Sequence, residues 1–283
     1  MRLRYVVKEE MMIKEYILLM GISSKLARKI KLYGKMYINN TEAKNYFVVK
    51  EGDILELEYN EGINEDIQVN TKEVEILYED EYLMVVVKPV DLATQPTSKH
   101  QEDNLVARLI NYFKKNNISS NVHIVNRLDF STSGILLVAK NGNIHYQLTK
   151  DKIDRIQRKY LAVVKGFFEE KQGIINLPID RIEEHNIMRQ VSQSGKEAIT
   201  YYKILKEYKS SHESLVELTL GTGRTHQIRV HMSYLHHPVI GDKLYGTEKD
   251  RLYLHCYQIE FTHPITNERM FFEKKPDWNN YLL

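Results

Sequence analysis

The residues best suited to chemistry in this chain sit in one stretch, Arg127-Leu128-Asp129-Phe130-Ser131-Thr132-Ser133-Gly134, which runs straight into the apolar residues 135–139. The apolar run reads as a buried strand, and the polar stretch before it as a loop held at the strand's edge. A carboxylate two residues from an arginine, in a hydroxyl-rich loop on a rigid element, suits a positioned reactive group. Taken alone, the same pair reads more readily as a structural ion pair, and it is the rest of the chain that changes the balance. Two further stretches carry comparable residues. Arg158-Lys159-Tyr160 opens a strand over 158–166, and Gly221-Thr222-Gly223-Arg224-Thr225-His226-Gln227-Ile228-Arg229 is a glycine-rich turn leading into a helix. His226, His231, His236 and His237 raise the question of a metal site. No carboxylate completes a recognised ligand pattern with them, so no metal is expected.

Periodicity supplies the elements around these residues. Strands are predicted at 74–78 and 82–88, joined by a turn at 79–81. Leu105, Val106, Leu109, Ile110 and Phe113 mark an amphipathic helix, and Asn141 can cap another that runs through Lys150. Further strands are predicted at 201–205 and 215–220, with a final one at 253–261. Strands with interspersed, not strictly alternating, helices predict an α+β fold, with a central mainly antiparallel mixed sheet flanked by helices.

The length of 283 residues suits two unequal domains. A small α+β unit over 1–60, a polar linker over 61–73 and a larger domain over 74–283 are predicted. No apolar run approaches the ~18 residues of a membrane span. Lys8, Glu9 and Glu10 stand where a signal peptide needs apolar residues. The single cysteine, Cys256, excludes an internal disulfide and a cysteine-based zinc site. A cytoplasmic protein with no membrane partner is expected.

The net charge of +2 conceals an uneven distribution. Between Gly21 and Tyr37 stand Lys25, Arg28, Lys29, Lys31 and Lys35 with no acid, whereas 51–66 holds seven acids and no base. A local basic patch in a near-neutral chain points to a local anionic partner. Helical spacing places Met12, Ile13, Tyr16, Ile17 and Met20 on a first helix stopped by Gly21. Ser23 or Ser24 caps a second, with Leu26, Ile30 and Tyr33 inward and the basic residues on other faces. A short strand over 35–38, a turn at Asn39-Asn40 and a strand over 54–59 follow. Two short helices followed by small strands resemble the RNA-binding module named after ribosomal protein S-four. That resemblance implies RNA-phosphate contacts from Lys25, Arg28, Lys29 and Lys31.

The larger domain resembles the pseudouridine synthases of the RluA type. The resemblance rests on Arg127-Leu128-Asp129 with Thr132-Ser133-Gly134, on Lys159-Tyr160-x-Ala162-x-Val164-x-Gly166, and on Gly223-Arg224-Thr225-His226-Gln227-Ile228-Arg229-Val230-His231. His237-Pro238, Gly241-Asp242, Tyr245-Gly246 and His263-Pro264-Ile265-Thr266 follow in the same order. It implies isomerisation of uridine to pseudouridine in RNA without metal or cofactor; a monomer is expected. Ribosomal RNA is favoured as substrate and transfer RNA remains open. By this resemblance Asp129 is the catalytic carboxylate, Arg224 pairs with it, and Tyr160 lies against the uracil. Leu254 supplies an apolar wall, Arg127 and Thr132 hold the substrate nucleotide, and Lys88 and Arg229 contact phosphates.

Four positions depart from the family pattern. Asn126 stands where a histidine is usual and Phe130 where a basic or polar residue is common. Asp91 replaces the glycine of a Lys-Pro-x-Gly loop, and Gln95-Pro96 replaces a His-Pro pair. Two other classes of function compete. One is a catalytically inactive RNA-binding assembly protein, against which intact Asp129, Tyr160 and Arg224 argue. The other is a glycoside hydrolase, which normally needs two carboxylates flanking one bond where this constellation has one.

Overall fold

The computed structural model describes residues 2–61, 68–150, 156–183, 186–246, 248–278 and 281. The first unit contains β1 (Arg2–Val6), β2 (Met11–Met12), α1 (Ile13–Leu19), α2 (Ser24–Tyr33), β3 (Lys35–Ile38), β4 (Thr41–Ala43), β5 (Val48–Val49) and β6 (Ile54–Glu58). Four of these strands form an antiparallel sheet in the order β1-β6-β3-β4, and β2 pairs with β5. Its core is its own: Leu3, Ile13, Tyr16, Ile17, Ile30, Leu55 and Leu57 pack together. Ser23 is the cap of α2, its Oγ accepting from Leu26 N at 3.2 Å. The basic residues Lys25, Arg28, Lys29 and Lys31 lie off the core. Tyr33, expected to face inward, is instead 82% exposed. It is the last residue of α2, and the next residue, Gly34, lies so close to Glu58 O that a Cβ there would come within 2.4 Å. The chain enters β3 at that point, and Met36 fills the core in place of Tyr33.

The second unit contains β7 (Glu75–Glu79), β8 (Leu83–Lys88), α3 (Leu105–Lys115), β9 (His123–Ile124), β10 (Ser133–Ala139), α4 (Gly142–Thr149), β11 (Ile156–Lys165) and β12 (Gln172–Asn176). It continues with β13 (Ile179–Arg181), β14 (Arg189–Val191), β15 (Ile199–Tyr208), β16 (Glu213–Leu220), α5 (Gln227–Tyr234), β17 (Leu254–Thr262) and β18 (Arg269–Glu273). A ten-stranded sheet runs β12-β15-β16-β11-β17-β10-β8-β7, with β18 added to β17 and β9 to β10. The fold is α+β with a central, mostly antiparallel sheet, as predicted. The strand at 254–262 is not the last one, because β18 follows it. Of the segment read as a linker, 62–67 lies outside the described residues. Its first residue, Glu61, docks on the second unit: its carboxylate accepts from Gly142 N at 2.6 Å and Ser120 Oγ at 3.1 Å.

The one parallel pairing among the named strands of the large sheet joins β10 to β17 through Ser133↔His255 and Gly134↔Cys256. Gly134 is required there: its φ is +124°, and a Cβ would fall 2.3 Å from Cys256 O. Parallel neighbours start at the same edge, so the loop before β10 and the first residue of β17, Leu254, come together. Strand β8 is antiparallel to β10, which brings its last residue, Lys88, opposite Gly134 at that same edge. One sheet face buries Val86, Leu136, Val138, Tyr160, Leu218 and Leu254 with α3 (Leu105, Leu109, Phe113) and α5 (Ile228, Met232). The other buries Val85, Ile135, Leu137 and Ile259 under α4.

Candidate active site

The loop that carries Asp129 is clamped from several directions. Thr94 Oγ1 donates to Leu128 O at 2.7 Å, Leu92 N donates to Phe130 O at 3.2 Å, and Thr132 N donates to Asp129 O at 3.1 Å. Asn126 ties the loop to β10, its Oδ1 accepting from Leu137 N at 2.8 Å. Lys88 lies beneath. Its side chain is fully buried, and Nζ donates to Pro89 O (2.9 Å), Leu92 O (2.7 Å) and Phe130 O (2.9 Å). The expected phosphate contact of Lys88 is therefore overturned: every proton of its ammonium is spent on a backbone carbonyl. Burial pushes its pKa down to about 7, against the pull of Asp129 and Asp91. Asp91, where the family's loop has glycine, has φ 54°. That is left-handed backbone, which aspartate adopts more readily than most residues, so the turn survives the replacement.

The partners of Asp129 come from the start of α5. Arg229 Nη1 stands 3.8 Å and His226 Nε2 4.0 Å from Asp129 Oδ2. Arg229 is 5% exposed and bound in two places to the fully buried Asp242, with Nε and Nη2 donating at 2.8 and 2.7 Å. Its expected phosphate contact is likewise overturned, because the guanidinium is turned inward and spans the two carboxylates. Burial lowers the pKa of His226, with Asp129 opposing, so its ring is neutral at neutral pH. Its Nδ1 shares a hydrogen bond of 2.9 Å with Tyr245 Oη.

Arg224, expected to pair with Asp129, points elsewhere: its Nε donates to Glu197 O at 2.8 Å. The cause is local. His226 adopts φ 58° just before α5, so the chain reverses there, and Arg229 on the first turn faces the Asp129 loop while Arg224 stays on the rim.

These groups line a cleft of about 1180 Å³. Its walls include Tyr160 and Leu254, 4% and 3% exposed, while the half-buried Asp129 and the exposed Arg127 face the opening. Tyr160 sits where β11 and β17 slip register: Lys159 pairs with Gln258 but Tyr160 with Cys256. The extra residue of the slip, Tyr257, lies on β17, while β11 keeps unbroken register with β16 through Lys159↔Thr219 and Tyr160↔Leu218. Burial, with smaller contributions from Cys256 and Asp129, pushes the phenol of Tyr160 well above its ordinary range, so it keeps its proton at neutral pH. Seven lysines and arginines line the cleft against three aspartates, whereas the whole chain is nearly balanced at 40 to 38. Arg158, Arg189, Lys243 and Arg251 belong to this set, and no sequence pattern marked the last three for the site. Arg158 was within reach, since it lies two residues before Tyr160 on one strand and so shares its face.

A family model described as RNA pseudouridylate synthase matches residues 82–234, more than half of the chain. This chain belongs to the RNA pseudouridine synthase family. The synthase is 37% identical over 268 residues to the uncharacterized RNA pseudouridine synthase YjbO of Bacillus subtilis, covering 93% of this chain and 94% of that one. It is 32% identical over 272 residues to ribosomal large subunit pseudouridine synthase D of Blochmanniella floridana, covering 87% and 78%. Its fold matches that of human RNA pseudouridylate synthase domain containing 1 with a TM-score of 0.60 at 28% identity, over 73% of this chain and 85% of the human one. The enzyme is an isomerase acting on RNA.

Proposed function

We propose that this synthase isomerises uridine in ribosomal RNA, with Asp129 as its catalytic carboxylate. The observation that carries this reading is the setting of Asp129. It faces an arginine-rich cleft, with the buried Arg229 at 3.8 Å behind it and the Tyr160–Leu254 wall in the same cleft. The reaction breaks the bond between ribose and the uracil nitrogen, turns the base, and joins carbon five to the sugar. The proton lost from carbon five is balanced by one gained at the nitrogen. A carboxylate oxygen facing the nucleoside can attack the ribose, add to the base or take a sugar proton. In every case the detached uracil must stay beside the sugar, and an enclosing wall supplies that effective concentration. Tyr160, protonated and buried, serves as a wall against the uracil and is unsuited to act as a base.

Bringing the target nucleotide out of its stack costs roughly a few kcal/mol. Arg127, Arg158, Arg224 and Arg251 line the cleft and would offset that cost through phosphate contacts. We assign residues 1–60 to an S-four-type RNA-binding domain, 61–73 to a linker and 74–283 to the catalytic domain. The cations of α2 suit a large structured RNA, and relatives named for the large ribosomal subunit favour the same class. The setting of this work would be the cytoplasm, and the working form a monomer.

Tritium release from RNA labelled at uracil carbon five tests the reading, with ribosomal and transfer RNA made free of modifications. Release from ribosomal RNA is expected from the wild type. The Asp129→Asn variant should bind RNA normally and release about 10²–10⁴-fold more slowly. Retained activity in that variant overturns the role of Asp129, and release from transfer RNA alone overturns the substrate.

A further inference from the structure

Four residues of the cleft wall each carry a buried polar atom with no hydrogen-bond partner among the described residues: Asn126 Nδ2, Thr132 Oγ1, Arg158 Nε and Arg251 Nε. Buried polar groups are nearly always paired, and each orphan costs about 1–3 kcal/mol. Asn126 and Thr132 are the most enclosed of the four, at 6% and 3% exposure, and they flank Asp129 at three residues on either side. The amide of Asn126 cannot turn to hide its nitrogen. Its Oδ1 is held by Leu137 N at 2.8 Å, which fixes Nδ2 as the unpaired end. A neighbouring hydroxyl shows what a structural role looks like: Thr94, 5% exposed and lining the same cleft, is fully engaged with Leu128 O at 2.7 Å.

Three of the four orphans are N–H donors and the fourth is a hydroxyl that can donate, so their ligand must be rich in acceptors. We propose that Asn126 Nδ2 and Thr132 Oγ1 donate hydrogen bonds to oxygens of the extruded uridine, making Asn126 a substrate-recognition residue. A uridine nucleotide fits the donor set, with two base carbonyls, the ribose oxygens and the phosphates as acceptors. Asn126 and Thr132, beside Asp129, take the nucleoside, while Arg158 and Arg251 take phosphate oxygens. The proposal rests on the reading of Asp129 given above. It adds that the stability sacrificed by leaving these two groups unpaired in the free enzyme is recovered when substrate binds.

Two near-isosteric variants test it. Thr132→Val removes a hydroxyl that bonds to nothing in the free protein, and Asn126→Asp keeps the bond to Leu137 N while turning the free donor into an acceptor. With unmodified ribosomal RNA and tritium release, Thr132→Val should lower kcat/KM about 3–10-fold, the worth of one hydrogen bond. Asn126→Asp should lower it further, on the order of 10²-fold, because an acceptor then faces an acceptor. The thermal midpoint of Thr132→Val should match or exceed that of wild type, while Thr94→Val, which breaks a real bond, should lower it. Wild-type kcat/KM in both variants, beside an active wild type and a dead Asp129→Asn, would overturn this proposal and leave the assignment of Asp129 standing. A fall in midpoint for Thr132→Val equal to that of Thr94→Val would make the hydroxyl structural and also overturn it. An inactive wild type on every RNA would bring down the reading of the site as well.

Discussion

On α2, Lys25, Arg28, Lys29 and Lys31 stand within seven residues of sequence and off the core, whereas the cleft draws Arg127, Arg158, Arg224 and Arg251 from four separate segments. The α2 charges are hydrated and screened by salt, so they attract an anionic partner without fixing where it sits. Some of the cleft charges are restrained. Arg251 is held by Asp277 at 3.0 Å and reaches Ser133 Oγ at 3.3 Å, and Arg229 is locked between Asp242 and Asp129. On the reading proposed above, the first surface would gather RNA and the second would orient it. The two should therefore respond to mutation in different measurements.

The largest effect is expected at the buried pair. Asp242→Ala leaves the Arg229 charge 5% exposed and without its two-pronged partner, which should cost about 3–5 kcal/mol of stability. Thermal or urea unfolding reads this directly, and a loss below about 1 kcal/mol would mean that the pair does not hold the site together.

A second effect depends on pH. In the folded protein Lys88 titrates at about 7, whereas in the unfolded chain it titrates near 10.5. Between those values the unfolded chain holds a proton that the folded protein lacks. Lys88 therefore makes stability rise as pH rises through that window, and its contribution is flat below about 7. Lys88→Met removes this slope, so the stability of wild type relative to the variant should grow from pH 7 to pH 10. A constant difference across that range would show that Lys88 keeps its charge when folded.

The smallest effect on stability, and a distinct one on binding, belongs to α2. Replacing Lys25, Arg28, Lys29 and Lys31 together by alanine should change unfolding by only about 0.5 kcal/mol per site or less. The salt dependence of RNA affinity should become shallower by ~0.7–0.9 for each phosphate that is no longer neutralised. An unchanged salt slope would remove α2 from the RNA-binding surface and leave RNA attraction to the cleft.

Local patterns carried much of the architecture. The apolar run of β10 is buried at every position, the amphipathic spacing of 105–113 forms α3, and Asn141 caps α4 through its bond from Ile144 N at 2.8 Å. Strands β1, β9, β12, β13, β14 and β18 have no comparable signal. Each is short or lies at an edge, and such strands take their conformation from the neighbour they pair with rather than from their own pattern. The site shows the same division. Asp129, Tyr160, Leu254, Arg127, Thr132 and Arg224 all line the cleft, yet the cation beside Asp129 is Arg229, and Lys88 faces the backbone.

By itself the sequence determined the longer helices and central strands and which short loops carry the reactive side chains, because hydrophobic period, caps and turn residues act over a few positions. It also determined the family, since the blocks around Asp129, Tyr160 and Arg224 keep their order and composition. Only the tertiary structure decided how those blocks face one another. The left-handed turn at His226 selects Arg229 over Arg224. The parallel β10–β17 contact, made possible by Gly134, brings the Asp129 loop and Leu254 to one edge. Burial turns Lys88 from a surface cation into a clamp on three carbonyls. Each of these outcomes depends on which groups lose water and which long-range partner replaces it, and no window of neighbouring residues contains that information.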